Sequence, residues 1–431
     1  MQILPKHEYN SFKNLNKATY IELFFDLVFV FCINRTMQVM VSGHVTIVSW
    51  YTFYTFSFTT VLMLQIWFNT TILMNRFGTG GPLDVLFIIV NTLLVIIMAQ
   101  GISVAWKYYM VYNVAWMLIT INTVVHWLIR YRMSENPPKA LKRLTVRTVC
   151  IMSAQIVIIL AGTLSDSFWG QVLALIAVIV GFFNWTGRDK RYMNRAHYHH
   201  LSERCSLIIT ASFGLTIVSI GTFTNMESHL LSGIFYVLIL LLMFLIYAIE
   251  LERALNYRKI GNGLWYMVVT AFQTYMIANM TVAFNLMIAG KDLWIMDSSF
   301  YFNASVAVFL LSSFLYLPFN RKGRIPLSRW AAIRAVLCLA TIPFSVTLVD
   351  WAATIVVPER IAEAAPHLME NLSLNTATAI GLALVFAIFV LDWRNYGYAP
   401  RGVLGAFFNK RSKQLGGEQG TLPAAASTRE E

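Results

Sequence analysis

The feature that most constrains this chain is a series of apolar runs, each about twenty residues long. An α-helix of that length crosses the hydrocarbon core of a membrane and satisfies its own backbone hydrogen bonds there. Hydrophobic residues make up 57% of the chain and charged residues only 13%, whereas a soluble domain carries about 25% charged residues. So few charges cannot cover a water-soluble globule of this size. The sequence therefore predicts an all-α fold, a polytopic transmembrane helical bundle.

The apolar runs indicate about twelve membrane spans. They lie at residues 19–41, 46–75, 83–105, 108–129, 145–164, 167–186, 201–223, 229–249, 263–289, 297–318, 330–350 and 374–394. The predicted organisation has five parts: a cytoplasmic N-terminal segment (1–18), a first six-helix half (19–187), a basic cytoplasmic linker (188–200), a second six-helix half (201–395) and a disordered cytoplasmic tail (396–431).

The positive charges predict the orientation of these spans. If the N-terminus is cytoplasmic, most of the 33 Lys and Arg residues fall in cytoplasmic segments, as the positive-inside rule requires. One missed or extra span would reverse this pattern downstream. We therefore expect both termini in the cytoplasm. The same rule accounts for the net charge of +12, so the lipid bilayer is the expected partner and nucleic acid is not.

The first span carries two carboxylates at a depth where charge is costly. Glu22 and Asp26 are four residues apart and share one helix face, which Phe25 and Phe29 flank. Such residues normally face a partner or a water-filled pathway. In the alternative interpretation, both acids lie in the first cytoplasmic turns and complement the helix dipole together with Lys17.

The seventh span begins in a similar way, with His199, His200, Glu203 and Arg204. Because six spans separate it from the first, both helices begin on the same side, and Glu203 corresponds in depth to Glu22. This correspondence predicts two parallel six-helix repeats related by an axis along the membrane normal.

Metal or cofactor binding is not expected from the sequence. The four cysteines are far apart and form no Cys-x-x-Cys pair. His197, His199, His200 and Glu203 could hold one ion, but no further ligand completes a site. We expect instead that His200 and Arg204 neutralise Glu203.

Two of these segments resemble the signatures of a known family. Glu22-Leu-Phe-Phe-Asp26-Leu-Val-Phe-Val-Phe is similar to the opening motif of the bacterial low-temperature-requirement A family, and His200-Leu-Ser-Glu203-Arg204 to its second motif. The resemblance covers residues 18–395 and implies an integral protein of the bacterial plasma membrane. Two positions depart from the family pattern: Leu215 replaces an acid, and Trp265-Tyr266 stand where a histidine is expected.

A more distant likeness concerns the twelve-span potassium channels that carry a Phe-Ser-Asp motif. Phe24-Phe25-Asp26 is similar to that motif, which implies a six-plus-six architecture in which the first helices of both repeats line the pore. Tyr20 replaces the arginine that precedes the motif, and Leu207 stands where the second repeat would carry its Asp.

We expect a channel or transporter for a small inorganic cation (potassium, sodium or a proton), possessing no enzymatic activity and able to form a homo-oligomer. The expected pathway residues are Glu22, Phe25, Asp26, Phe29, His200, Glu203 and Arg204. A membrane sensor or scaffold is one alternative. A membrane-embedded lipid-modifying enzyme is another, although the sequence has no His-Glu-x-x-His motif, Asp-rich metal motif or nucleophile elbow.

Overall fold

The computed structural model describes only part of the chain. The described residues are 18–42, 46–103, 109–134, 137, 139–185, 198–224, 230–251, 263–315, 376 and 378–390. The predicted span 330–350, most of the basic linker and the predicted tail 396–431 lie outside them.

Within these ranges the chain forms eleven α-helices and one pair of very short strands. The helices are α1 (Tyr20–Val41), α2 (Trp50–Phe77), α3 (Pro82–Gln100), α4 (Met110–Arg132), α5 (Lys139–Leu164), α6 (Ser167–Phe182), α7 (Tyr198–Thr224), α8 (Leu230–Ile249), α9 (Leu264–Ala289), α10 (Ser298–Ser312) and α11 (Thr378–Val390). Nine of these described helices, α1–α5 and α7–α10, are long and apolar enough to cross a membrane when the turn after α10 is included; α6 and α11 are shorter. The mainly helical membrane fold is therefore confirmed.

Each of the first ten predicted apolar runs contains one helix, although some boundaries differ. The run predicted at 46–75 begins with strand β1 (Ile47–Val48), and α2 starts only at Trp50. Helix α5 starts at Lys139 rather than at residue 145. Its first turns bury Leu141 and Leu144 and expose the basic residues between them. A hydropathy average misses such an amphipathic helix end.

Helix α1 packs against four other helices, α2, α3, α7 and α9. Its buried face includes the two acids of the first motif, whereas Phe24, Leu27 and Phe31 on the opposite face are exposed. Such exposed apolar residues are expected where a spanning helix meets lipid. The contact between α1 and α7 joins the N-terminal and C-terminal parts of the described chain.

The strand pair lies at the end of the bundle opposite to the start of α1. We call this end the far end. Strand β1 pairs in parallel with β2 (Asp292–Leu293). The Lys291 ammonium donates to the Val41 carbonyl oxygen at 2.6 Å. These contacts connect the α1–α2 loop with the α9–α10 loop. We call the other end, where α1 and α7 begin, the near end.

Candidate functional site

The centre of the site is a buried ion pair between α1 and α7. Arg204 Nε lies 2.9 Å from Asp26 Oδ2, and Arg204 Nη2 lies 2.5 Å from Asp26 Oδ1. Both side chains are completely buried. The indole N–H of Trp67, on α2, donates to Asp26 Oδ1 at 2.8 Å. Both oxygens of Asp26 are therefore occupied by donors from two other helices.

A second cross-helix contact lies one turn closer to the near end. His200 Nε2 is 2.8 Å from Glu22 Oε2, and both side chains are buried. The same oxygen accepts the backbone N–H of Thr19 at 2.9 Å, as a carboxylate in the first turn of a helix commonly does. Asn75 Nδ2 lies 3.3 Å from the other ring nitrogen of His200. Glu22 therefore caps α1 and also pairs across the interface, so features of both sequence interpretations are present.

Glu203 does not join this interface in the expected way. Its carboxylate accepts the backbone N–H of Ala18 at 2.8 Å and lies 3.7 Å from His199 Nδ1. The prediction that His200 and Arg204 neutralise Glu203 is wrong, because these two bases pair with the acids of α1. Consecutive helical residues point about 100° apart, so Arg204 faces α1 whereas Glu203 faces the near end.

Phe25 and Phe29 lie on the same buried face of α1 as the acids. Their ring centroids are 5.8 Å apart, and both rings belong to the main hydrophobic core. The structure thus brings four of the seven predicted site residues into two direct pairs. The two phenylalanines lie in the surrounding core and Glu203 lies at its near-end edge.

The expected pathway residues include none from α2, although the stretch from Trp67 to Thr79 also resembles the family's pattern at the end of the second span. Trp67 and Asn75 are eight residues apart in one helix and contact Asp26 and His200, respectively. A tryptophan in the middle of a span needs a partner for its N–H, and this need is a signal that could have identified Trp67.

A further buried charged cluster, also missed, lies between α3 and α4. Asp84 Oδ1 is 2.9 Å from His126 Nε2 and 2.7 Å from Arg130 Nε. Asp84 Oδ2 accepts the backbone N–H groups of Thr79 and Gly80 at 2.8 and 3.2 Å. All three charged or titratable side chains are buried. His126 and Arg130 are four residues apart, as His200 and Arg204 are, and this repeated spacing was the available signal.

Metal ligation has no evident site among the described residues. Within them, no three His, Cys, Asp or Glu side chains are grouped closely enough to hold a metal ion. The described polar groups of the interface are arranged instead as paired acids and bases.

The comparisons with known proteins agree with the motifs. The family model described as bacterial low temperature requirement A protein (LtrA) matches residues 17–365, which include both motifs and all of the site described above. No curated protein matches the chain, and no solved structure matches it. The family match covers well over half of the chain and confirms the resemblance of the two motifs. This chain is therefore an integral membrane protein that belongs to the LtrA family.

Proposed function

We propose that this protein is a proton transporter whose proton site is formed by the paired Glu22–His200 and Asp26–Arg204 contacts between α1 and α7. The observation that carries the proposal is the burial of four ionisable groups within two helices that are long and apolar enough to cross a membrane, in pairs that join two distant parts of the chain. Ionisable residues inside a membrane are costly and commonly mark transport pathways or proton relays.

Stability alone is a poor reason to keep such pairs. Desolvation of both partners offsets much of their attraction, and apolar residues of similar volume often stabilise a protein as well or better. The surrounding core is apolar and includes Phe25 and Phe29. A leucine or phenylalanine pair would pack there without a desolvation cost, so a function that uses the charges is the better explanation.

The contacts favour a proton over a metal cation. A potassium or sodium ion needs several oxygen ligands in place of its water shell, but both oxygens of Asp26 already accept hydrogen bonds. A proton needs only one lone pair. Protonation of Asp26 removes the charge that holds Arg204, and protonation of Glu22 removes the charge that faces His200. Separation of these pairs would release α1 from α7.

The groups that face Glu22 define the electrostatics of the proposed proton site. His200 and Arg204 on α7 are the nearby bases, Asp26 is the acid one turn further along α1, and Asn75 approaches through His200. Because acids and bases are equal in number when His200 is protonated, addition or removal of one proton changes the net charge of the whole group.

We further propose that the described helices belong to two parallel six-helix halves, twelve spans in all, with the near end and both termini facing the cytoplasm of a bacterium. Basic residues support this orientation: Arg76 ends α2, Arg132 ends α4 and Lys139 begins α5, all at the near end. The pathway would then run between the halves, along α1 and α7.

The test is ion flux into liposomes that contain the purified protein, driven in turn by proton, potassium and sodium gradients. We expect proton flux that Asp26→Asn abolishes. Asp166→Asn is the matched control, because Asp166 is an exposed acid at the start of α6 whose side chain forms no capping bond. The double variant Asp26→Asn/Arg204→Gln keeps the shapes without the charges. It should fold and remain inactive, so loss of flux is not loss of structure.

Two results would contradict the proposal. One is absence of flux under every gradient from folded wild-type protein. The other is equal proton flux in the wild type and in Asp26→Asn.

A sensor is the second candidate, and the complete burial of Asp26 and Arg204 favours it over an open channel. A sensor would show a pH-dependent change in the α1–α7 contact without flux. Cysteines placed on the two helices and labelled with fluorophores would detect that change in the same liposomes.

A further inference from the structure

The α3–α4 cluster is more than a local brace, because its acid binds a turn that belongs to neither helix. The two backbone amides that Asp84 Oδ2 accepts are those of Thr79 and Gly80, in the turn between α2 and α3. Arg130 Nη2 also donates to the Thr79 hydroxyl at 2.9 Å. A buried acid and a buried base thus hold one short exposed turn from two sides.

This turn touches the beginning of α1. Gly80 has a φ of 67°, in the left-handed region, and a Cβ placed on it would lie 3.0 Å from the Thr19 methyl group. That distance is shorter than ordinary van der Waals contact. A side chain at residue 80 would be strained by the backbone conformation and would press against the Thr19 methyl group.

Thr19 in turn is bonded to the proposed proton site. Its backbone N–H donates to Glu22 Oε2, the oxygen that contacts His200. The preceding amide, that of Ala18, donates to Glu203 on α7. A continuous series of contacts therefore runs from Asp84, through the turn and the start of α1, to the Glu22–His200 pair.

We infer that Asp84 and Arg130 are positioning residues for Glu22: they fix the α2–α3 turn against Thr19 and so set how the start of α1 presents Glu22 to His200. The role of this positioning in transport rests on the proposed function. The physical connection does not, and it can be measured without any flux.

The experiment is hydrogen–deuterium exchange of the full-length protein in lipid nanodiscs, read by mass spectrometry on peptides that cover residues 18–23 and 79–84. In Asp84→Asn, both peptides should exchange about tenfold faster than in the wild type. The 79–84 peptide loses the charged acceptor of its own amides, and the 18–23 peptide loses the firm packing of the turn against Thr19. Asp297→Asn is the matched control. It removes a capping carboxylate from α10 at the far end and should leave both peptides unchanged.

A second variant keeps the test valid if Asp84→Asn folds poorly. Gly80→Ala leaves the Asp84–Arg130 pair intact and displaces only the turn and Thr19. It should accelerate exchange in residues 18–23 by a similar factor. If the 79–84 peptide loosens in either variant while residues 18–23 exchange at the wild-type rate, the inference is overturned.

Flux provides the functional readout. If the wild type carries protons, Asp84→Asn should move the pH of half-maximal flux, whereas Asp166→Asn should not; an unmoved midpoint would refute the positioning role in transport. If the wild type carries none, the proposed function fails and the exchange result alone decides whether Asp84 positions Glu22.

Discussion

The two buried charged clusters use the same pair of bases in different ways. Each has a histidine and an arginine one turn apart on a single helix, His126 with Arg130 on α4 and His200 with Arg204 on α7. On α4 both bases bind one carboxylate, Asp84. On α7 each base binds a carboxylate of its own on α1.

Because of this difference, we expect the α3–α4 cluster to remain closed and the α1–α7 contact to be able to open. Five groups contact the Asp84 carboxylate, two backbone amides, one hydroxyl and two bases, so loss of one leaves the others. Glu22 and Asp26 lie in two pairs, and each can be broken without direct loss of the other. The same His-x-x-x-Arg spacing therefore gives a fixed contact where both bases share one acid, and two separable contacts where each base has its own acid.

The largest expected effect is on the α1–α7 cluster. Arg204→Gln leaves Asp26 buried without its cation and should lower the free energy of unfolding by about 3–5 kcal/mol. Denaturation in mild detergent, followed by circular dichroism, measures it. Asp26→Asn in the same chain should restore most of the loss. A loss below about 1 kcal/mol would mean that Asp26 is not held as an anion.

Arg130→Gln should cost less, about 2–3 kcal/mol, because Asp84 keeps His126 and the two amides of the turn. The same denaturation experiment compares it directly with Arg204→Gln. If Arg130→Gln lowers the free energy of unfolding as much as Arg204→Gln or more, a carboxylate with two bases is no better protected than a carboxylate with one.

Trp67→Phe removes one donor from Asp26 and keeps most of the ring packing. It should lower the free energy of unfolding by about 1.5–2 kcal/mol, the lower part of the range for a hydrogen bond to a charged group. Trp116→Phe, a substitution of another fully buried tryptophan, is the control for ring size. If both variants lose the same stability, the bond to Asp26 contributes nothing of its own.

The smallest effect is expected at the exposed turn. Thr79→Val removes the hydroxyl that accepts from Arg130 and donates to Asp84 Oδ2, and it preserves the shape of the side chain. Because Thr79 is exposed and Asp84 still holds Arg130, the loss should be about 0.5 kcal/mol. A loss as large as that of Arg130→Gln would show that the hydroxyl, rather than the carboxylate, anchors the turn.

The sequence predicted some of these features for sound physical reasons. Helical periodicity placed Glu22 and Asp26 on one face of α1, and hydropathy located α1 to α10. It did not predict which base meets which acid, because that register is set by the packing of α1 against α7. Adjacency in sequence suggested that Arg204 neutralises Glu203, whereas helical rotation turns these residues to different faces.

The pairing of Asp84 with Arg130 could not be predicted from the sequence for a related reason. Arg130 directly follows the predicted span 108–129, and the positive-inside rule treats every basic residue near a span end alike, as part of a cytoplasmic segment. The structure places it inside α4, where it is 8% exposed. A rule about average charge cannot recognise an arginine whose acid lies on the next helix.

The sequence separation of the pairs has a consequence for synthesis. Arg130 follows Asp84 by 46 residues in the sequence, whereas Arg204 follows Asp26 by 178. At about 5–20 residues per second, the ribosome supplies Arg204 roughly 9–36 s after Asp26. During that interval α1 enters the membrane without its final partner, so the nascent chain must keep Asp26 protonated, hydrated or held by the translocation machinery until α7 emerges. Assembly of this site therefore depends on the order in which its helices are synthesised as well as on their final packing.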